Sequence, residues 1–212
     1  GLQIDLLQKV RSGQISLSQM ERFRNLSSAE REVLFGSGRN GKISNKSFLG
    51  ALRASGYLDT SFEGKETHPL TIRPLTKEQA FDEYRKSGEE TWVWDEMEKE
   101  IPYVIPRHYL KPKVKVLDVM ILWFRRRIGS DEGVALMDNL GVRPLIFEEH
   151  IQYGTQHPSH QEKKNLVALT KYILEGNPYA PVLAFGGDGR GLGAAGWGGD
   201  WVDGCRFLVV RK

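Results

Sequence analysis

The sequence has a single cysteine, Cys205, among its 212 residues. One thiol cannot form a disulfide within the chain, and it cannot supply a cysteine-rich zinc site. The fold therefore does not depend on an oxidising compartment. A catalytic role for Cys205 would need a nearby base and a lowered pKa, and the sequence indicates neither.

Long apolar runs are also missing, since none approaches the roughly 18 residues that a membrane-spanning helix needs. The first residues, GLQIDLLQKVRSG, lack the charged flank and the apolar segment of a signal peptide. We therefore expect no membrane segment and no leader, with the cytoplasm as the default location, although a first residue of Gly rather than Met leaves a removed leader open. The 30 basic and 27 acidic residues balance too evenly to indicate a nucleic-acid partner.

Residues 1–66 are expected to form short N-terminal helices ahead of one α+β domain over residues 67–212. The polar, turn-rich segment 57–69 marks the boundary between them. A nucleic-acid-binding role for the helices is one alternative, because they carry Arg11, Arg22, Arg24 and Arg31. Their charge is offset by Glu21, Glu30 and Glu32, so we do not favour it.

The loop 36–48 has the shape of a calcium-binding helix-loop-helix. The carboxylates that hold calcium are absent, however, because the chain has Gly36, Gly38 and Ser47 where that loop needs them. A plain helical hairpin is the expected structure.

Three histidines, His150, His157 and His160, lie close together in sequence with Glu148 and Glu149 nearby. Their spacing spans about two helical turns before Pro158, which does not by itself make them converge on a metal. A solvated helix end is the preferred interpretation. We expect no metal or other cofactor, so that EDTA should leave the melting temperature unchanged.

Residues 114–212 are expected to form one compact unit in which two helices, 131–140 and 145–156, pack on a small sheet that includes strand 206–211. The Thr76-x-x-Gln79 pattern predicts a capped helix as far as Lys86. The remaining patterns predict a strand entering a helix at 91–97, a buried strand at 114–124, and β-rich runs at 165–174 and 180–185.

A glycine-rich stretch follows, in which nine of the 19 residues from Gly186 to Gly204 are glycine. Within it, Gly191-Leu-Gly193-Ala-Ala-Gly196 matches the dinucleotide-binding pattern G-x-G-x-x-G. A working motif opens a helix and needs an acidic residue about 20 positions later. Only 16 residues follow Gly196, so the crossover helix and second strand have no room.

The stretch is also restricted in the types of residue that it contains. From Val182 to Cys205, apart from Trp197 and Trp201, every residue is Val, Leu, Ala, Phe, Gly, Asp, Arg or Cys. Random replacement of the two adenines in the asparagine codons AAC or AAT can produce each of these residues but not Lys, Glu, Gln or Met. A plain glycine-rich surface loop remains the alternative explanation.

The order of 142-VRPLIFEEHIQYG-154, 165-NLVAL-169, 181-PVLAF-185 and the final WGGDWVDGCRFLVVRK resembles the variable proteins that diversity-generating retroelements diversify. More distantly it resembles the formylglycine-generating-enzyme branch of the C-type lectin fold. The resemblance covers residues 114–212 and is most specific in the last 16. It implies a lectin-like framework that displays mutable side chains at a ligand-binding face.

The resemblance implies a variable region at about 182–205 and a framework of Trp197, Trp201, Arg206 and Phe207. It implies a non-enzymatic protein that binds a macromolecule, protein foremost, and no catalytic residues. An enzyme on the formylglycine-generating scaffold is the runner-up. The expected ligand-binding positions, all solvent-accessible, are Ala184, Gly186, Asp188, Arg190, Gly193, Ala195, Gly198, Asp200, Val202, Asp203 and Cys205.

Overall fold

The computed structural model describes residues 45–104, 106, 109, 115–187 and 189–212. The predicted helices and the calcium-like loop before residue 45, and variable position Asp188, lie outside these residues. The helices are α1 (Asn45–Ser55), α2 (Lys77–Lys86), α3 (Asp95–Glu100), α4 (Ser130–Asn139), α5 (Phe147–Gln156) and α6 (Pro158–Lys163). The strands are β1 (His68–Ile72), β2 (Thr91–Val93), β3 (Lys115–Leu122), β4 (Ile128–Gly129), β5 (Val142–Pro144), β6 (Leu166–Val167), β7 (Tyr172–Leu174), β8 (Asn177–Gly186), β9 (Gly189–Gly196), β10 (Asp200–Trp201) and β11 (Arg206–Arg211).

Nine strands form one mixed sheet, whose main order is β1-β3-β11-β6-β8-β9-β2. Strand β11 is central, since it pairs with β3 and β5 in antiparallel and with β6 in parallel orientation. Strands β8 and β9 form a long antiparallel hairpin, and β2 pairs in parallel with the outer edge of β9. The remaining two strands, β10 and β4, form a separate small sheet.

The core has two parts, one on each face of the large sheet. Alternation along β11 shows this directly, because Phe207 and Val209 belong to one buried cluster while Leu208 and Val210 belong to the other. Helices α1 and α4 cover the first face, and α2 and α5 cover the second. The protein is therefore α+β, with helices on both faces of the sheet.

The local signals in the sequence locate most of these elements correctly. The Thr76 hydroxyl accepts a hydrogen bond from Gln79 N–H, and the Gln79 side-chain oxygen accepts one from Thr76 N–H, which completes the expected capping box at α2. Helix α4 ends beside Gly141, whose φ of +70° suits glycine. The expected packing of the two helices on a sheet containing the C-terminal strand is confirmed, although α4 and α5 lie on opposite faces.

The segment 57–69, where the sequence predicts a boundary, packs into the core. Leu58 is buried in the same cluster as Phe207, and Phe62 is fully buried in the other cluster, with Leu208. Asp59 is 7% exposed and forms an ion pair with Arg206 on β11. The described part of the N-terminal region thus belongs to the same packed unit, because its apolar side chains complete the core on both faces.

Candidate ligand-binding surface

The tryptophan loop, residues 196–204, is held by its two tryptophans against the first turn of α4. Trp201 Nε1 donates to Ser130 Oγ at 2.9 Å, and Ser130 Oγ donates in turn to the Trp197 carbonyl at 2.6 Å. Trp197 Nε1 donates to Asp131 Oδ1 at 3.0 Å. Both indoles are buried, at 8% and 6% exposure. The two tryptophans and the pairing of β10 with β4 therefore hold the loop backbone.

The far end of the loop is fixed by Arg206, which is 4% exposed. Its guanidinium pairs with Asp59, lies 4.1 Å from the Trp123 ring centroid, and donates to the Asp203 carbonyl at 2.9 Å. Phe207 follows, 1% exposed, with its ring edge toward Trp201. The expected burial of Trp197, Trp201 and Phe207 is confirmed, and Arg206 is a buried structural residue as well.

Five of the expected binding positions are solvent-exposed: Gly186, Gly198, Asp200, Val202 and Asp203. An added Cβ at Gly186 or Gly198 would meet no atom within 4 Å. The same holds for three neighbouring glycines, Gly187, Gly196 and Gly204. Asp203 also accepts a hydrogen bond from Trp123 Nε1 at 2.7 Å, so it is exposed but not without a structural contact. Four of the five positions lie in the tryptophan loop, whereas Gly186 lies at the opposite end of the β8–β9 hairpin. Side chains at these exposed positions can change without displacing the core.

Three further positions, Ala184, Gly193 and Ala195, are half-buried. They lie on the hairpin β8–β9, where Ala184 and Ala195 pack at the margin of the core. Larger side chains at Ala184 and Ala195 would contact the framework. These positions are thus less accessible than expected, because they belong to paired strands.

Arg190 corrects the expected display surface, because it is 3% exposed. Its guanidinium donates to the Ser87 carbonyl at 3.1 Å and to the Gly154 carbonyl at 2.8 Å. Those carbonyls lie at the carboxyl-terminal ends of α2 and α5, where unpaired carbonyls and the helix dipole favour a cation. The side chain therefore joins two helices within the protein and does not face solvent.

Cys205 is the second correction, at 7% exposure. Its backbone N–H donates to the Val202 carbonyl at 3.0 Å, which closes the tryptophan loop and turns the thiol inward. Burial raises the pKa of Cys205, so the thiol stays protonated near neutral pH. It has neither the accessibility of a display residue nor the thiolate character of a nucleophile.

The glycines of β9 have structural reasons of their own. Gly189 has a φ of +92°, and a Cβ there would lie 2.0 Å from the Glu90 carbonyl oxygen. A Cβ on Gly191 would lie 1.9 Å from the Trp92 ring. The G-x-G-x-x-G pattern thus lies along a strand, whereas a nucleotide-binding motif lies at the turn into a helix. This excludes the dinucleotide-binding arrangement.

Trp92 flanks the glycine-rich stretch, although the sequence alone does not indicate it. It lies on the edge strand β2 opposite Gly191, is 40% exposed, and covers the glycines of β9. Phe185, 51% exposed, lies at the tip of the neighbouring hairpin. Alternation in 91-TWVWDEM-97 indicated a strand, but only the pairing with β9 shows that Trp92 flanks the glycine-rich stretch.

The solvated helix end expected for the histidines is wrong. His150 and His160 are fully buried, and His150 Nε2 donates to the Leu166 carbonyl at 3.1 Å. His157 and His160 stack, with ring centroids 5.1 Å apart, whereas His150 is not part of their group. Instead, His68 and Glu63, which the sequence analysis did not single out, lie beside His160.

Comparison with protein-family models, curated proteins and solved structures finds no significant match to this chain. None of the helices in the described part of the chain has both the length and the apolar character needed to cross a membrane.

Proposed function

We propose that this chain is a non-enzymatic binding protein whose tryptophan loop and adjoining exposed positions contact a macromolecular ligand, protein foremost. In this proposal a retroelement diversifies those positions through adenine-directed mutagenesis, on a framework of the C-type lectin type. The proposal rests on the resemblance of the last 16 residues and on the separation of roles within them.

The observation that carries the proposal is the alternation of fixed and open positions. Trp197 and Trp201 are anchored to Ser130 and Asp131, while Gly198, Asp200 and Val202 project from the same loop into solvent. A position that must accept any residue cannot lie in a close-packed core, because overpacking or an unpaired polar group there costs roughly 1–3 kcal/mol. The exposed positions meet that requirement.

Two exposed aromatic residues that flank the glycine-rich strand β9 also support a binding role. Exposed Trp92 and Phe185 offer large rigid surfaces, and aromatic anchors contribute much of the binding energy at protein interfaces. The exposed variable positions of the tryptophan loop are small or acidic, so the ligand contacts of this chain would depend strongly on these two rings. Burial of Cys205 disfavours the enzymatic alternative, which relies on cysteine chemistry.

The nucleotide sequence around the gene tests the diversification directly. A reverse-transcriptase gene should lie nearby, together with a template repeat that matches codons 182–205 and differs only where the template has adenine. Variation should fall on the open positions and spare the codons of Trp197 and Trp201. A locus with neither component would refute the proposed diversification.

Binding is tested separately with a displayed library in which Gly198, Asp200 and Val202 are randomised. Selection against unrelated folded proteins should yield specific binders that retain both loop tryptophans. A matched library randomised at the buried positions Gly189, Gly191 and Arg190 should yield few folded clones. Equal recovery of folded clones from both libraries would contradict the assignment of the binding face.

A further inference from the structure

A cluster of two histidines and a glutamate lies away from the tryptophan loop. Glu63 is in the turn before β1, His68 is the first residue of β1, and His160 is in α6. One ligand atom from each residue lies within 4.8 Å of the others. Because the three residues come from separate segments, only the folded chain brings them together.

The state of His68 is the unusual feature of this cluster. Its side chain is 1% exposed, yet neither ring nitrogen has a hydrogen-bond partner among the described residues. Burying a polar group without a partner is costly, so such a group normally has a ligand, an ion or water beside it. The His68 ring contacts the His160 ring edge to face, with centroids 4.6 Å apart.

His160 is oriented in the way a metal ligand requires. Its Nδ1 lies 2.9 Å from the Tyr153 hydroxyl oxygen, within hydrogen-bond distance. That contact leaves Nε2, which lies 3.3 Å from Glu63 Oε1 and has no hydrogen-bond partner among the described residues. Ligating histidines are generally held through the second ring nitrogen in this way.

Burial is the main influence on the pKa values of the two histidines. Burial, together with neighbouring His160 and His157, lowers the pKa of His68 to about 4, and burial also lowers the pKa of His160. The hydrogen bond from Lys65 is the largest of the contacts that lower the pKa of Glu63 to about 2, so its carboxylate is ionised.

We propose that Glu63, His68 and His160 bind a divalent transition-metal ion, with Zn²⁺ as the best fit. Two imidazole nitrogens and one carboxylate oxygen are a ligand set that zinc uses, and donor atoms about 3.3 Å apart suit tetrahedral coordination. The Glu63–His160 pair already has that spacing, and the exposed Glu63 side chain can adjust toward His68. Water would occupy the fourth position on the exposed side.

Lys65 would compete with a metal ion for the Glu63 carboxylate. Its ammonium lies 2.7 Å from Glu63 Oε2, and its side chain is 59% exposed, so it can swing away when a metal arrives. His157 is the neighbouring histidine outside the set, since its Nε2 donates to the Pro69 carbonyl at 2.9 Å. These two residues supply matched variants for a test.

The site also changes an expectation from the sequence, namely that EDTA leaves melting unaffected. A metal that binds only the folded chain stabilises it by mass action. The melting temperature of the metal-free chain should therefore rise when Zn²⁺ is added, and EDTA should reverse the rise. The same concentration of Mg²⁺ should have no effect, because imidazole ligands do not suit Mg²⁺.

The decisive experiment titrates the metal-free full-length chain with Co²⁺ and then displaces it with Zn²⁺. One equivalent should bind and give the visible absorption of tetrahedral Co²⁺, which Zn²⁺ then removes. His68→Gln and Glu63→Gln should abolish this absorption. Tyr153→Phe, which removes only the orienting hydroxyl, should weaken Zn²⁺ binding by about 10-fold or more.

The control variants separate this site from casual binding at surface histidines. His157→Gln should leave the stoichiometry and the Co²⁺ absorption unchanged, and Lys65→Ala should bind Zn²⁺ more tightly because the competing ammonium is gone. Glu63 is exposed, so Glu63→Gln remains informative if His68→Gln fails to fold. The proposal would be overturned if the unaltered chain failed to bind one equivalent of Co²⁺. It would also be overturned if His157→Gln and Glu63→Gln lost the Co²⁺ absorption equally.

Discussion

Strand β9 and the tryptophan loop are both glycine-rich, yet their glycines do different things. Gly189 and Gly191 in the strand leave no room for a Cβ, because Glu90 and Trp92 occupy that space. Gly196, Gly198 and Gly204 in or beside the loop meet no atom within 4 Å. The comparison teaches that composition alone cannot separate a glycine that the backbone requires from one that occupies a tolerant position.

Removing a loop anchor should have the largest effect. Trp201→Ala should lower the free energy of unfolding by about 3–5 kcal/mol, because it leaves a cavity beside Phe207 and removes the indole N–H that donates to Ser130. Urea denaturation of the variant beside Val202→Ala measures the difference. Val202 is 49% exposed and should change stability by no more than about 0.5 kcal/mol. Similar losses for both variants would contradict the division into anchors and open positions.

Substitution of a glycine in strand β9 should have the second-largest effect on stability. Gly189→Ala should cost about 2 kcal/mol or more, since alanine must adopt a φ of +92° and its Cβ would collide with the Glu90 carbonyl. Gly198→Ala, in the loop, should be nearly neutral. Thermal melts of the two variants give the contrast, and a neutral Gly189→Ala would show that the hairpin adjusts more easily than its geometry indicates.

The features that could be predicted from the sequence are those with local causes. The capping box of Thr76 and Gln79 indicated α2, and the apolar run at 114–124 indicated β3. The burial of the tryptophans follows from their size and their place in a polar, glycine-rich segment. Each of these signals lies within one element or one loop.

The features that could not be predicted depend on contacts distant in sequence. Arg190 is buried because its guanidinium bonds to Ser87 and Gly154. These partners lie 103 and 36 positions away in the sequence, so no local pattern indicates the contacts. Nothing in the codon-like bias of 182–205 distinguishes such a residue from its exposed neighbours. His68 and Glu63 were missed for the same reason, since only the tertiary fold brings them to His160.

The rate at which a cysteine reacts also distinguishes buried from exposed positions of the glycine-rich stretch. Native Cys205 should react slowly with an alkylating reagent, because it is buried and its pKa is raised. A cysteine placed at Val202 in a Cys205→Ala background should react at least about 10-fold faster, since that position is exposed. The rates under native conditions are compared with those in denaturant, where both thiols should react alike. Equal rates under native conditions would show that Cys205 is accessible to solvent.

Combined substitution of the exposed loop positions should have the smallest effect on stability. The triple variant Gly198→Ser, Asp200→Ser, Val202→Ser should retain its free energy of unfolding within about 0.5 kcal/mol per site, because none of the three side chains contributes to the core. The matched variant Gly189→Ser, Gly191→Ser, Arg190→Ser changes the same number of residues in the strand. It should lose several kcal/mol, roughly, since it combines two collisions with the loss of a buried charged donor. Chemical denaturation of both variants decides the outcome. A stable strand variant beside a destabilised loop variant would mean that the loop glycines are structural, and the diversification proposed from them would then fail.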